Sequence, residues 1–529
     1  MADLNKIVGF LITKDHNAPN YDLFNVGLNC LDFKIAGLHL FIWGIGDISK
    51  CLTEKGYSLS YPESSNLLDR NVLLNVNNEC IVIENDWLGS IPVFYNEKEC
   101  IISSLSPLCL KNKEVDLEGL KNYCLFGYSV LEKTPFKSVR FLRYFSKLTV
   151  KNNELTVEYK KDPALDDDFI SRPSCEVSVV QKMKEYISEK VEMTNGDVVL
   201  PISGGYDSRI LSYLVKDKSR IKSYTYGISE DQSQSFEVVH AKKISHIFNI
   251  DWKHIELKDF NKHIASWFSA YGFSAHLHGM YHIEFYTKIL EPNNLNNPVF
   301  LSGIVGDCWA ESGKFKPIDN HNDVAAMGYS HGMSLDENHL AFSSDGPSLH
   351  EFYDEFKVLL SDERIRAIFV IRKKLILLSY LTQIPEYFGI PVFTPYLNLE
   401  IVRDTLNIRK ARRVKRLWQS DLFRKVGLNL EDMNLKSKKS NKLDYKIGLA
   451  SNFEKIDVSL TKPYFKFERL EEINNLIATQ PKLVERLKNE LLYVPKVGGL
   501  LRRIGCSNKR LRAQYDYKVI KAFEIGLKL

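Results

Sequence analysis

The chain has 529 residues, too many for one ordinary core, so two or three domains are expected. Its 44% hydrophobic and 26% charged residues suit a globular enzyme; a formal charge of +5 over this length points to no partner class, and only the C-terminal region leans toward the dense basic face of a nucleic-acid binder, so none is expected. Nine cysteines without a CxxC pair exclude a zinc ribbon and a disulfide framework and predict a reduced, cytoplasmic compartment. The first residues, Met-Ala-Asp-Leu-Asn-Lys, lack a signal peptide's layout. The longest apolar stretch, near Ala367–Leu381, is broken by Arg372-Lys373-Lys374, so no transmembrane segment is predicted.

From Ile7 to about Tyr159 the chain is short apolar runs between turn residues: Ile7–Ile12, Leu38–Trp43, Cys80–Glu84, Val93–Tyr95, Cys100–Ser103, Lys147–Val150 and Leu155–Tyr159. This predicts a strand-rich region, with one helix over Asp116–Phe126. Lys160–Ser174, charged and carrying two prolines, reads as a linker, so the division is 1–165 and 175–529. A helix over Glu176–Thr194 then leads to an apolar strand at Val198–Leu200. Further on, Ile221–Gly227 and Trp252–Leu257 read as strands and Ser235–Phe248 as a helix. Strands alternating with helices predict a parallel sheet, with ligands at the strands' carboxyl ends. Ser312–Phe356 is irregular and includes Asp345-Gly346-Pro347, Glu363–Tyr387 is helical, and Lys410–Val426 reads as one basic amphipathic helix. The basic tail, with Arg502, Arg503, Lys509, Arg510 and Arg512, suits a solvated face, an acidic partner or a membrane surface.

The chemistry concentrates where the strand at Val198 breaks into Ser203-Gly204-Gly205-Tyr206-Asp207-Ser208-Arg209 and a helix follows. Glycines leave the backbone N–H groups accessible, and the helix N-terminus adds positive potential, which together suit a phosphate. Ser203 and Ser208 add hydroxyl donors, and Asp207 can hold Mg²⁺ against phosphate oxygens. A second Gly-rich strand end, Ser302-Gly303-Ile304-Val305-Gly306-Asp307, offers Asp307 as the partner carboxylate, or as a helix N-cap. Gly227, ending the next strand, lies beside this loop, where backbone can meet adenine or ribose. His276, His278 and His282 form a compact run that can contact substrate, ligate zinc or serve the core. Lys438 and Lys439, in a lysine-rich loop, can neutralise charge on reacting phosphates or face solvent, and Glu386 is a candidate base.

The Ser203–Arg209 loop resembles the pyrophosphate loop of the ATP pyrophosphatases. Together with Asp86–Tyr95 and Gly303–Asp307, the chain resembles the asparagine synthetase family over nearly its whole length. The resemblance implies an α/β protein. Its first part would be a degenerate glutaminase-like sandwich of the N-terminal nucleophile type, and its second a Rossmann-like ATP pyrophosphatase domain. It implies an AMP- and pyrophosphate-forming ligase that uses ATP and Mg²⁺ to join a carboxylate to an amine, with small-molecule, sugar or peptide substrates and a possible homodimer. The family's cysteine nucleophile is replaced by Val8, with six residues between it and the initiator methionine, so no glutamine hydrolysis is expected. Ile304 stands where the family carries a glutamate near the incoming ammonia. Amide formation in peptide or surface-glycan tailoring is therefore favoured. Asparagine synthesis from free ammonia, a tRNA-modifying pyrophosphatase and a non-catalytic scaffold are the alternatives.

Overall fold

The computed structural model describes residues 5–529, apart from 36, 54–55, 60–65, 78, 167–168, 170, 193, 293, 329–332, 345 and 495. The first four residues, Met193, Asp345 of the expected turn, and Asp167, Asp168 and Ile170 of the expected linker therefore lie outside the described residues.

Twelve strands form the first part of the chain: β1 Lys6–Thr13, β2 Asn29–Ile35, β3 Leu38–Ile45, β4 Leu52–Thr53, β5 Gly56–Ser58, β6 Val72–Val76, β7 Cys80–Asn85, β8 Phe94–Asn96, β9 Ile101–Ser103, β10 Arg140–Phe141, β11 Ser146–Lys151 and β12 Glu154–Tyr159. They pair into two six-stranded antiparallel sheets, ordered β10-β8-β9-β1-β3-β2 and β12-β11-β7-β6-β5-β4. Alternate residues of each sheet point inward, so Ile7, Phe10, Ile12, Leu40 and Ile42 meet Leu74, Ile81, Ile83 and Leu148 in a shared apolar core. The α-helix found among the described residues of this part, Leu117–Phe126, starts where the Asp116 side chain accepts a hydrogen bond from the Gly119 N–H at 2.9 Å.

Five further strands, β13 Val198–Val199, β14 Ile221–Thr225, β15 Asp251–His254, β16 Val299–Leu301 and β17 Val392–Phe393, form a wholly parallel sheet ordered β15-β14-β13-β16-β17. The order reverses at β13, so β13 and β16 leave the sheet side by side and their connections diverge. That is the topological switch point where open α/β sheets bind ligands. The two residues of strand β17 pair with Phe300 and Leu301, contacts that no local pattern reveals.

Many contacts join the halves, among them the Trp87 ring N–H on the Leu397 carbonyl at 2.8 Å and Arg372 on Asp162 at 2.8 Å, and two stand out. The last helix, Lys509–Lys528, buries Phe523, whose ring lies 5.6 Å from that of Phe136, itself 4.7 Å from Phe273. The second is a buried charge cluster. Arg70 donates two hydrogen bonds to the Glu386 carboxylate, both at 2.8 Å, and Lys6 of β1 lies 3.3 Å away. All three side chains are buried. Glu386 is thus corrected from candidate base to clamp, since both its oxygens are taken up by Arg70 and one also lies beside Lys6.

The expected helix over Lys410–Val426 is broken. Helices Lys410–Arg413 and Leu417–Lys425 flank a turn in which Lys415 and Arg416 adopt left-handed backbone, with φ of 51° and 54°. Two consecutive non-glycine residues in that region are strained, and the consequence lies at the site below.

Candidate active site

A cavity of about 470 Å³ opens at the carboxyl ends of β13, β14 and β16. Ser203, Gly205, Asp207 and Ser208 form one wall, and Gly303 and Ile304 the facing one, as their strand ends require. The loop is held in its turn by its own hydroxyls. The Ser208 hydroxyl accepts from the Ser203 N–H at 3.2 Å, and that of Ser203 from the Gly205 N–H at 3.4 Å. Gly205 caps the helix Tyr206–Leu214 with no side-chain bond, which leaves first-turn N–H groups directed at the cavity.

Gly204 has φ +76°, and a Cβ there would stand 2.3 Å from Cβ of His240. Both backbone and space exclude a side chain. Gly204→Ala is expected to lower stability by at least ~2 kcal/mol and to weaken nucleotide binding, read by urea unfolding and ATP titration. A loss under ~0.5 kcal/mol would count against this account of the turn.

Arg209 belongs to the loop but does not line the cavity. Its fully buried guanidinium donates to the Gly204 carbonyl at 2.7 Å and grips Glu431 at 2.9 and 3.0 Å. Its expected ligand contact is corrected to a positioning role. Tyr206 likewise turns away, edge-on to Phe423 at 5.1 Å. Gly227 is closed off, since a Cβ would meet the Gln232 carbonyl oxygen at 2.2 Å; its neighbours Tyr226 and Ile228 line the cavity instead.

Asp207 and Asp307 come together across the switch point. Gly306 lets the second strand end approach: a Cβ there would sit 2.7 Å from Cγ of Asp207. Val305, a β-branched residue, is forced to φ 53°, so this turn is strained as well. Burial, and then the charge of Asp307, push the Asp207 carboxyl well above the usual carboxylate range. Burial acts on Asp307 in the same sense, but the ion pair with Lys314 outweighs it and holds that carboxyl below its ordinary value. The charge of Arg416 lowers both, and the strained turn places that guanidinium 5.0 Å from the Tyr206 ring centroid. Oδ1 of Asp207 is buried without a hydrogen-bond partner, the state expected of an oxygen meant for a cation. Among the described residues no group of three or more His, Cys, Asp or Glu is placed to hold a metal. Two carboxylates fit Mg²⁺, which leaves most of its coordination to phosphate and water.

The remaining wall is aromatic. Tyr281, His282, Phe285 and Tyr286 come from the helix Met280–Leu290, Phe300 from β16, and Tyr380 from a helix break. The Tyr281 and Tyr380 hydroxyls lie 3.0 Å apart. Burial pushes the His282 imidazole down to about 3, so it is neutral at pH 7. His276 and His278 do not line the cavity; His276 is buried, and its N–H bonds to the Gly127 carbonyl at 3.1 Å. Of the three histidines, only His282 lines the cavity, so the structure does not bring His276 and His278 to it. Lys438 and Lys439 lie outside the lining. The main chain of Lys438 pairs with Gln234 and Phe236, its exposed ammonium stands 4.0 Å from Asp231, and that of Lys439 lies 5.2 Å from the Phe236 ring. The cations that the fold sets beside the two carboxylates are Lys314 and Arg416. Neither was legible in the sequence, because a kink in an apparently continuous helix brings Arg416 there.

Fold and site together define an open parallel α/β sheet with an anion-type loop and paired carboxylates at its switch point. No family model matches the chain, and no curated protein does. Among solved structures, the ammonia-dependent NAD synthetase of Campylobacter jejuni, in complex with nitrate, is similar at 16% identity, over 45% of this chain and 96% of that one, with a TM-score of 0.21. A likeness that weak assigns neither family nor activity.

Proposed function

We propose that the protein is an ATP-dependent, AMP- and pyrophosphate-forming ligase that activates a carboxylate and joins it to an amine. The observation that carries this reading is the meeting of Asp207 and Asp307 beside an uncapped helix N-terminus at the sheet's switch point. The pyrophosphate portion of ATP would lie against Ser203–Ser208. A Mg²⁺ held by Asp207 and Asp307 would neutralise phosphate charge there. Lys314 and Arg416 supply fixed positive charge where the leaving pyrophosphate develops negative charge. The aromatic wall excludes water from an activated acyl group, which would otherwise hydrolyse.

Within this reading the amine is not drawn from glutamine. Val8 lies buried on β1, and burial raises rather than lowers the thiol of Cys30. No lysine or arginine lines the cavity to pair with a second carboxylate, and Ile304 lines it where a base would be needed for ammonia. Both points favour an uncharged acyl group over aspartate. The test is ATP–pyrophosphate exchange with a mixed pool of carboxylic acids, alongside glutamine incubation. Exchange that depends on the acids, with no glutamate released, is expected. No exchange and no ATP binding would remove the ligase reading, and glutamate release would overturn the inactive first domain.

A further inference from the structure

The helices Leu483–Tyr493 and Val497–Arg503 form a hairpin near the end of the chain. Gly498 permits the close turn, since a Cβ there would stand 2.1 Å from the Leu492 carbonyl oxygen. Its inner side is tied down: Arg502 donates to the Leu492 carbonyl at 2.6 Å, and Glu490 pairs with Lys442 at 2.6 Å. The outer side is apolar. Val484, Leu487 and Leu491 on the first helix, and Val497, Leu500 and Ile504 on the second, recur at intervals of three and four, and all are exposed, Val484 by 78% and Ile504 by 68%. A soluble surface scatters such residues singly; a continuous stripe over two helices marks an interaction face.

Charge identifies the occupant. Besides Arg502 on the inner side, positions 482, 486, 488, 496, 503 and 509 are Lys or Arg, six in all, against Glu485 and Glu490. Those two acids are neutralised from within, by Arg510 at 2.9 Å and by Lys442. A two-fold pairing of this face with a second copy would bring like charges together. An apolar stripe flanked by unpaired cations instead matches an anionic lipid surface, with the stripe among the acyl chains and the cations among the headgroups. No helix among the described residues is long and apolar enough to cross a membrane, so the hairpin would lie on the surface.

We propose that this hairpin docks the enzyme peripherally on anionic membranes. The test is co-sedimentation of the full chain with phosphatidylcholine vesicles, with and without phosphatidylserine. Expected are binding to the phosphatidylserine vesicles, its weakening by salt, and its loss by at least about tenfold in the double variant Leu487→Glu, Leu500→Glu. Both positions are exposed, and an unchanged melting curve for the variant would confirm its fold. Absence of binding to phosphatidylserine vesicles overturns the proposal. So does a dimer in light scattering that the double variant dissociates while neither protein binds vesicles, because the stripe would then belong to a second copy.

Discussion

Asp207→Asn is expected to abolish carboxylate-dependent ATP–pyrophosphate exchange, by about 10³-fold or more, while leaving the melting temperature unlowered. The activity term follows from position. Asp207 lies in the first turn of a helix beside the phosphate-type loop, and its Oδ1 has no hydrogen-bond partner, so that oxygen is left for a group from outside the chain. Losing it removes one of two carboxylates available to a cation, and an amide oxygen is a weaker ligand. The stability term follows from the same fact. A buried carboxylate raised by desolvation is a cost to folding, and the isosteric amide brings no steric change. Exchange within tenfold of the parent protein would remove Asp207 from the reaction. A collapse in stability would make its role structural.

Glu386→Ala is expected to destabilise the protein by about 3–5 kcal/mol and to separate the melting of the two halves. The deletion leaves Arg70 and Lys6 buried with no counter-charge, and the cost lies in those stranded cations more than in the lost attraction. Burial already lowers the Lys6 pKa, with Glu386 opposing that shift, so Lys6 would tend to lose its proton while the guanidinium cannot. Calorimetry and urea unfolding check this. A change below ~1 kcal/mol with one cooperative transition would show that the apolar contacts of the last helix suffice to hold the halves together.

Much of the fold was written locally. Short apolar runs between turn residues located β1, β3, β7 and β11 to within a residue or two, since burying a strand's side chains requires such runs. Strands β4, β5, β10 and β17 escaped notice, because two or three residues hold no period and pair only when a neighbour is present. The helix over Lys410–Val426 misled for the opposite reason: its pattern is continuous, yet the structure breaks it at Lys415 and Arg416.

At the site, the glycine loop, Asp207 and Asp307 were visible because phosphate recognition demands backbone without Cβ atoms, and that demand constrains adjacent residues. Their proximity was not visible. It depends on β13 and β16 being neighbours, a matter of strand order. Tertiary packing alone decided that Arg209 braces the loop through Glu431, that Glu386 meets Arg70, and that the charge of Arg416 reaches Asp207 and Asp307. Residues within one turn share a backbone, so their chemistry can be read in order along the chain. Charges that meet across more than 100 positions are brought together by core packing, and only the folded chain shows where they lie.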